Sequence, residues 1–399
     1  MRILHSLAHY SYSAFELRKC VHPEDAWSYG LTTVSADTEA ERISTEFYAS
    51  GYGVQNISRQ TLRGKNIFPA ATLYDKLCLR RTDELLRHAL CTTLIHRDHE
   101  IQQLLVTLRG EGKTNVMRAD ISSFFEKVDF GAVITQLEQD GFRNTAALKH
   151  LRAVNSYLLN KYGYSGLPRG IGLSSTLADY LLRGLDHAMQ THGGVYYYAR
   201  YVDDICIVHN LDGASLEKKL IDVLPVGLSL NSRKTAHLVV GVAGELEFLG
   251  YSIDALDAKK VKIAEKKLAK TKQRIALSLR QFTLDRDIGL LRDRLRFLMC
   301  STEMRMLRRE RPILCGFRNT YRHCSEAEIL IQLQQLDSFY FCLLKSKRCS
   351  LSKKVRALAG GPHWIELVQV SFVSAYKKKI THFVDQLRIA EINKAWAYG

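Results

Sequence analysis

Two runs rich in β-branched and aromatic residues, Gly194-Val195-Tyr196-Tyr197-Tyr198-Ala199-Arg200-Tyr201 and Ile205-Cys206-Ile207-Val208, are separated only by Val202-Asp203-Asp204. Such runs read as strands, and so short a link between them predicts a hairpin. Its tip must then carry two adjacent carboxylates. At about 4 Å and an effective dielectric of about 20, two such charges repel by roughly 4 kcal/mol. A polar turn is the ordinary reading of one Asp-Asp pair. On rigid apolar strands the pair also suits a divalent cation that balances it.

A third carboxylate has a similar setting. Asp120 follows the strand-like run Asn115-Val116-Met117-Arg118-Ala119 and precedes Ile121-Ser122-Ser123-Phe124-Phe125. Hard oxygen donors with open positions suit Mg²⁺, which keeps waters and binds phosphates. Two such ions can serve an in-line displacement at phosphorus, one at the attacking hydroxyl and one at the leaving group.

Around these strands the pattern is mixed. Helical spacing is expected over 13–20, 38–48, 77–110, 131–160 and 177–189, with a break at Gly110-Glu111-Gly112. A Gly-punctuated loop holds Gly163, Gly166, Pro168, Gly170 and Gly172, and further strands are expected at 228–231 and 246–253. After residue 260 apolar residues step by three or four: Ala264, Leu268, Thr271, Ile275, Leu279 and Phe282, then Ile288, Leu291, Leu295 and Leu298. That tail reads as basic amphipathic helices, interrupted at Arg311-Pro312 and Gly360-Gly361-Pro362. The fold class expected is α+β, with a mostly helical tail.

Charge divides the same way. The 399-residue chain carries a net +16. Residues 1–250 hold 27 Lys and Arg against 27 Asp and Glu, while residues 251–399 hold 30 against 14. The whole surplus lies in the tail, which points to a polyanionic partner there, nucleic acid above all; the bland alternative is a solvated helical surface. A hydrophobic share of 46% excludes disorder as the main state. No run approaches the roughly 18 apolar residues of a membrane span. Met1-Arg2-Ile3-Leu4-His5-Ser6-Leu7-Ala8-His9 lacks the apolar core of a signal peptide. Nine scattered Cys, with no Cys-x-x-Cys, argue for a reducing cytoplasm and no disulfide framework. Cys315, His323 and Cys324 make a poor zinc set. There is no Gly-x-Ser-x-Gly elbow of a hydrolase.

The ordered set of motifs is more specific than any one of them. Asp120-Ile121-Ser122-Ser123-Phe124-Phe125 resembles the first palm motif of reverse transcriptases, and Gly166-Leu167-Pro168-Arg169-Gly170-Ile171-Gly172-Leu173-Ser174-Ser175 the second. Tyr201-Val202-Asp203-Asp204 resembles the third, Leu230-Asn231-Ser232-Arg233-Lys234-Thr235 the fourth, and Glu247-Phe248-Leu249-Gly250-Tyr251 the fifth, the primer grip. The chain departs from the family at Arg169, where Gln is usual, and at Ser175, where Pro is usual. It also lacks the Val-Thr-Gly of retron enzymes and the Ser-Gln of diversity-generating ones. Overall it is similar to the stand-alone bacterial reverse transcriptases linked to antiphage defence.

The resemblance implies a right-hand polymerase with an RRM-like palm sheet and a basic all-helical thumb and C-terminal extension. The parts would be an N-terminal helical extension at 1–60, fingers at 61–114, palm at 115–255 with fingers elements at about 131–165, thumb at 256–315 and extension at 316–399. Asp120, Asp203 and the carbonyl of Ile121 would hold two Mg²⁺ ions, with Mn²⁺ as a substitute and Asp204 in support. Lys234 would act as general acid toward pyrophosphate, or else be an exposed turn lysine. Phe125 would be the steric gate against a 2′-hydroxyl, with Phe124 as the core aromatic. Arg169 and Gly170 would approach the dNTP. Lys76, Arg80 and Arg81 would grip its triphosphate, or form a plain basic helix face. Tyr201, Gly250, Lys266, Lys270 and Arg274 would meet nucleic acid. The implied partners are a noncoding RNA template, its cDNA and dNTPs, with no membrane and oligomeric state open. Protein-primed or untemplated synthesis, and a catalytically idle RNA-binding scaffold, are the alternatives.

Overall fold

The computed structural model describes residues 11–62, 64–92, 97–110, 112, 114–304 and 313–396. Met1–His9, Glu111 and Arg311-Pro312, named above, lie outside them. The chain divides into two compact units, residues 1–96 with 114–237, and residues 97–113 with 238–399.

The first unit opens with helices Ala14–Lys19, Pro23–Ser28 and Thr33–Ala49 and a short hairpin, β1 (Gln60–Leu62) with β2 (Lys65–Ile67). Thr32 starts the third helix through a reciprocal capping box with Ser35. Helix Leu73–Leu90 is capped by Thr72 and stops at Cys91, whose φ of 48° is left-handed. Its sequence period keeps Leu77, Leu85 and Leu86 in the core.

The sheet follows from the order of the next elements. Strand β3 (Asn115–Asp120) leads through helices Phe130–Gln139, Thr145–Tyr162, Leu173–Leu181 and Arg183–Gln190 to the hairpin β4 (Val195–Tyr201) and β5 (Asp204–His209). Helix Gly213–Asp222 then leads to β6 (Ala236–Val239), where the chain passes to the second unit. This β-α-β-β-α-β order, with strands arranged β4-β5-β3-β6, is the split βαβ sheet of RRM-like domains. Strand β5 is central and buried from Ile205 to His209, which explains its unbroken apolar run. Both β4 and β3 pair with it antiparallel, so Asp120 and Tyr201 each stand opposite Asp204.

The second unit has its own core, built on helices Glu265–Asp285, Ile288–Met299 and Glu326–Lys345. It holds a three-stranded sheet, β7 (Glu245–Phe248), β8 (Tyr251–Asp254) and β9 (Val261–Ile263). A second sheet sets β10 (Ser301–Met304) between β11 (Ile313–Cys315) and β12 (Thr381–Phe383). Helices Arg97–Leu108, Phe317–Thr320, Ser350–Gln369, Phe372–Lys377 and Gln386–Lys394 also belong to it.

Several expectations need correction in detail. The single strand expected at 246–253 is a hairpin, because Leu249 and Gly250 adopt φ of 47° and 84° and turn the chain. Leu228–Asn231 contributes only a lone bridge, Ile121 to Leu230. The helix expected at 131–160 is two, parted by Asp140–Asn144, and that at 177–189 breaks at Leu182. The tail is not all helical, since β9 to β12 lie in it. Gly360 breaks the φ/ψ run of Ser350–Gln369 with a φ of 69°, at the expected interruption.

Candidate active site

The carboxylates meet at one end of the β4-β5-β3 ladder. Asp120 closes β3, Asp204 opens β5, and Asp203 sits in the two-residue link after Val202. Val202 has a φ of 61°, costly for a β-branched side chain and the kind of backbone strain found at functional sites. Two bonds hold that link. The Ile121 amide donates to the Asp203 carbonyl at 3.0 Å, and Arg200 donates to the Val202 carbonyl at 3.0 Å. On the other side, the Asn231 amide donates to the Asp120 carbonyl at 2.7 Å, and the Ser122 amide to that of Ser229 at 2.8 Å. The segment 229–234 is thereby laced to the end of β3.

The three carboxylates have different surroundings. Lys234 Nζ lies 2.7 Å from Asp120 Oδ1, and Asn231 Nδ2 3.4 Å from Oδ2. Arg118 is two residues before Asp120, hence on the same face of β3. It forks onto Asp204 at 3.1 and 3.4 Å. Burial raises the Asp204 carboxyl above the usual carboxylate value, with Arg118 opposing and Asp120 and Asp203 adding to the rise. Asp203 is also raised, first by burial and then by the charge of Asp120. No ion pair with a described residue relieves it.

This donor set fits a hard divalent cation. Its atoms are carboxylate and carbonyl oxygens, and the charge at half-buried Asp203 is only distantly opposed. Among the described residues no three Asp, Glu, His or Cys side chains form a ready-made metal cluster.

Beside the carboxylates lies a second group. Phe125 is 8% exposed, and the Arg169 guanidinium stacks on its ring at 4.2 Å. Arg169 also pairs with Glu126 at 2.9 and 3.2 Å, which holds the Glu126 carboxyl below its usual value. Phe124 is fully buried and meets Phe125 edge-on. The Gly-rich loop closes over this pair. Leu167 donates to the Phe125 carbonyl at 2.8 Å, and a Cβ on Gly166 would lie 2.5 Å from that oxygen. Any side chain there would displace the loop.

Other sequence-predicted residues lie elsewhere or are already engaged. Lys76 and Arg80 both pair with the buried Asp25, and Arg81 is itself buried, donating to the Ser11 carbonyl and pairing with Glu16. These three cations brace the N-terminal helices, which corrects the expectation of a triphosphate grip. Tyr201 is half exposed beside Asp204. In the second unit, Gly250 sits in the β7–β8 turn, where a Cβ would come within 3.0 Å of Lys267 Cε. The Leu249 carbonyl in that turn accepts from Arg97 at 2.8 Å. Lys266 and Lys270 are exposed, while Arg274 stacks on Trp396 at 5.0 Å.

Sequence reasoning missed Arg118, Asn231 and Lys65. The first is findable, because an i−2 neighbour on a strand shares the face of Asp120. Lys65, on β2, is close enough to lower both Glu126 and Asp203 by its charge.

Residues 77–253 match the family model described as reverse transcriptase (RNA-dependent DNA polymerase). No curated protein matches the chain. Among solved structures, a C-terminally truncated apo telomerase from Candida tropicalis aligns at 15% identity and TM-score 0.36, over 57% of this chain and 60% of that one. The apo telomerase from Candida tropicalis gives 13% and 0.39, over 89% and 69%. The same organism's telomerase in complex with the TWJ fragment of telomeric RNA gives 14% and 0.40, over 92% and 68%. This chain thus spans three fifths of the first of these structures and little more than two thirds of the others. With the motif order, the split βαβ sheet and the family match in agreement, residues 77–253 carry a reverse transcriptase domain.

Proposed function

We propose that the chain copies an RNA template into DNA by Mg²⁺-dependent nucleotidyl transfer, the template being a partner noncoding RNA and the setting antiphage defence. The observation that carries the chemistry is the pair Asp120 and Asp203, presented by neighbouring backbone with opposing charge only partly supplied by the protein. Divalent ions held there supply Lewis-acid activation of a primer hydroxyl and neutralise the triphosphate. Asp204, tied to Arg118, supports the field rather than binding. Lys234 stands where it could give a proton to departing pyrophosphate. Lys65 replaces Lys76, Arg80 and Arg81 as the cation proposed to face the triphosphate. The parts proposed are fingers at 61–114, palm at 115–255, thumb at 256–315 and extension at 316–399. The noncoding RNA and the defence role rest on the resemblance of the motifs.

Phe125 is proposed to exclude the 2′-hydroxyl, with its ring pinned by Arg169. Phe125→Ala is expected to raise ribonucleotide incorporation relative to deoxynucleotide by roughly 10- to 100-fold, the range of steric discrimination in a pocket. Competition between rNTP and dNTP in single-nucleotide extension measures it, and an unchanged ratio removes Phe125 from that role.

The function is tested by purifying the protein from its own cells, sequencing the bound RNA and DNA, and assaying primer extension on RNA. DNA complementary to one co-purifying RNA supports the reading. DNA of random sequence, or DNA that stays on the denatured protein, points instead to untemplated or protein-primed synthesis.

A further inference from the structure

The corner between helices Glu326–Lys345 and Ser350–Gln369 carries an unusual charge. From Asp337 to Glu366 the chain has no acidic residue between those ends, but six cations: Lys345, Lys347, Arg348, Lys353, Lys354 and Arg356. All six are exposed, and none is in an ion pair with a described residue. Some other cations of the same unit are matched: Lys262 with Glu245, Arg322 with Asp98, and Arg388 with Asp293 and Glu391. Others, such as Lys259, Lys260 and Lys377 to Lys379, are also exposed without an ion pair to a described residue. Six like charges within a few turns repel one another over a Debye length of about 8 Å. Stability gives no reason to gather them.

The corner is built rather than loose. Leu344 and Val355 are fully buried beneath it, and Ala359 nearly so. Ser352 donates to the Leu344 carbonyl, and the Cys349 amide donates to Ser346 Oγ at 3.1 Å. Tyr340 fixes the two helices by donating to the Leu367 carbonyl at 2.8 Å. Two of the cations lie against aromatic faces, Lys345 on Phe341 at 5.0 Å and Arg356 on Trp364 at 5.4 Å.

We propose that this corner is a second nucleic-acid surface, outside the reverse transcriptase domain at 77–253, that grips the phosphates of a folded segment of RNA. The identity of the partner rests on the polymerase reading; the surface itself does not. Charge complementarity to a polyanion is the first argument. The second is that the apolar face of the helix, Val355 and Ala359, is spent in the protein's own core. A membrane-binding helix needs that face free to enter the bilayer. Interleaved rings beside cations suit RNA, whose unpaired bases stack on them.

The test uses the full chain and a fluorescein-labelled RNA hairpin. The variant K347Q/R348Q/K353Q/K354Q removes four exposed charges. Its affinity at physiological salt should fall at least about tenfold, and its log–log salt slope should flatten by roughly three, at about 0.7–0.9 per phosphate contact. The control R42Q/R152Q removes cations already spent on Glu39, Glu46 and Glu138, and should leave both values unchanged. Wild-type affinity and slope in the quadruple variant overturn the proposal. So does binding to phosphatidylserine vesicles that the variant loses while its RNA affinity is kept. If the wild type binds RNA through this corner but fails to extend a primer, the surface stands and the polymerase reading falls. If it extends a primer normally and binds RNA independently of the corner, the polymerase reading stands and the surface falls.

Discussion

Asp203→Asn should abolish DNA synthesis while making the protein more stable. The carboxylate and its amide isostere have the same shape, so packing is preserved and only charge is lost. If Asp203 carries several kcal/mol of transition-state stabilisation through bound cations, at 1.36 kcal/mol per tenfold, extension on RNA should fall by about 10³-fold or more. RNA binding should persist. Stability should move the other way, because burial and Asp120 raise the Asp203 carboxyl above its ordinary value of 3.8. A group raised in the folded state adds stability at low pH and loses it as pH climbs through the raised value. In EDTA the variant and wild type should therefore melt together near the ordinary value, with the variant pulling ahead toward neutral pH. The gain should be roughly 1 kcal/mol, the usual scale of the stability given up at an active site. Added Mg²⁺ should stabilise the wild type and act weakly on the variant. A variant that extends primers at the wild-type rate, or that melts below wild type at neutral pH in EDTA, contradicts this account of the site.

What the sequence discloses about this site follows from how local each feature is. The hairpin of Asp203 and Asp204 is legible because period, β-branching and link length all act within a few residues. Because β6 at Ala236–Val239 is not flagged by its own composition, the RRM-like order is legible only through the resemblance of the motifs. Contacts across the chain are not. Arg118 reaches Asp204 from 86 positions away, and Lys234 reaches Asp120 from 114. Lys76 and Arg80 look available in the sequence because nothing local announces Asp25 as their partner. The hairpin at 245–254 reads as one strand because Leu249, an apolar residue, sits at a left-handed turn position where Gly or Asn is the expected signal. Tertiary pairing overrides local pattern at each of these places, most of them beside charged groups.

Arg200 shows how far such pairing reaches into the chemistry, and its loss should be the largest single destabilisation in the sheet. Its side chain is 3% exposed. The guanidinium forks onto Asp186 with two bonds of 2.7 Å, touches Asp179 at 3.2 Å, and donates to the Val202 carbonyl. Tyr198 donates to the same Asp186 at 2.6 Å. Arg200→Met fills similar volume but leaves the half-buried Asp186 without its guanidinium, and loss of these charge-assisted hydrogen bonds from a partly desolvated pair costs about 2–3 kcal/mol. For a domain of this size that is a fall in melting temperature on the order of 10 °C. Adding Asp186→Asn removes the orphaned charge and should restore more than half of the loss, since such a pair replaced as a whole is close to neutral. Activity should not return with stability. The double variant still lacks the donor to the Val202 carbonyl, so the strained link that presents Asp203 is held by one fewer bond. Its kcat should stay several-fold below wild type at a temperature where it is fully folded, with RNA affinity unchanged. Full recovery of kcat in the stable double variant would show that Arg200 serves only the fold; a melting temperature left unchanged by Arg200→Met would show that Asp186 never depended on it.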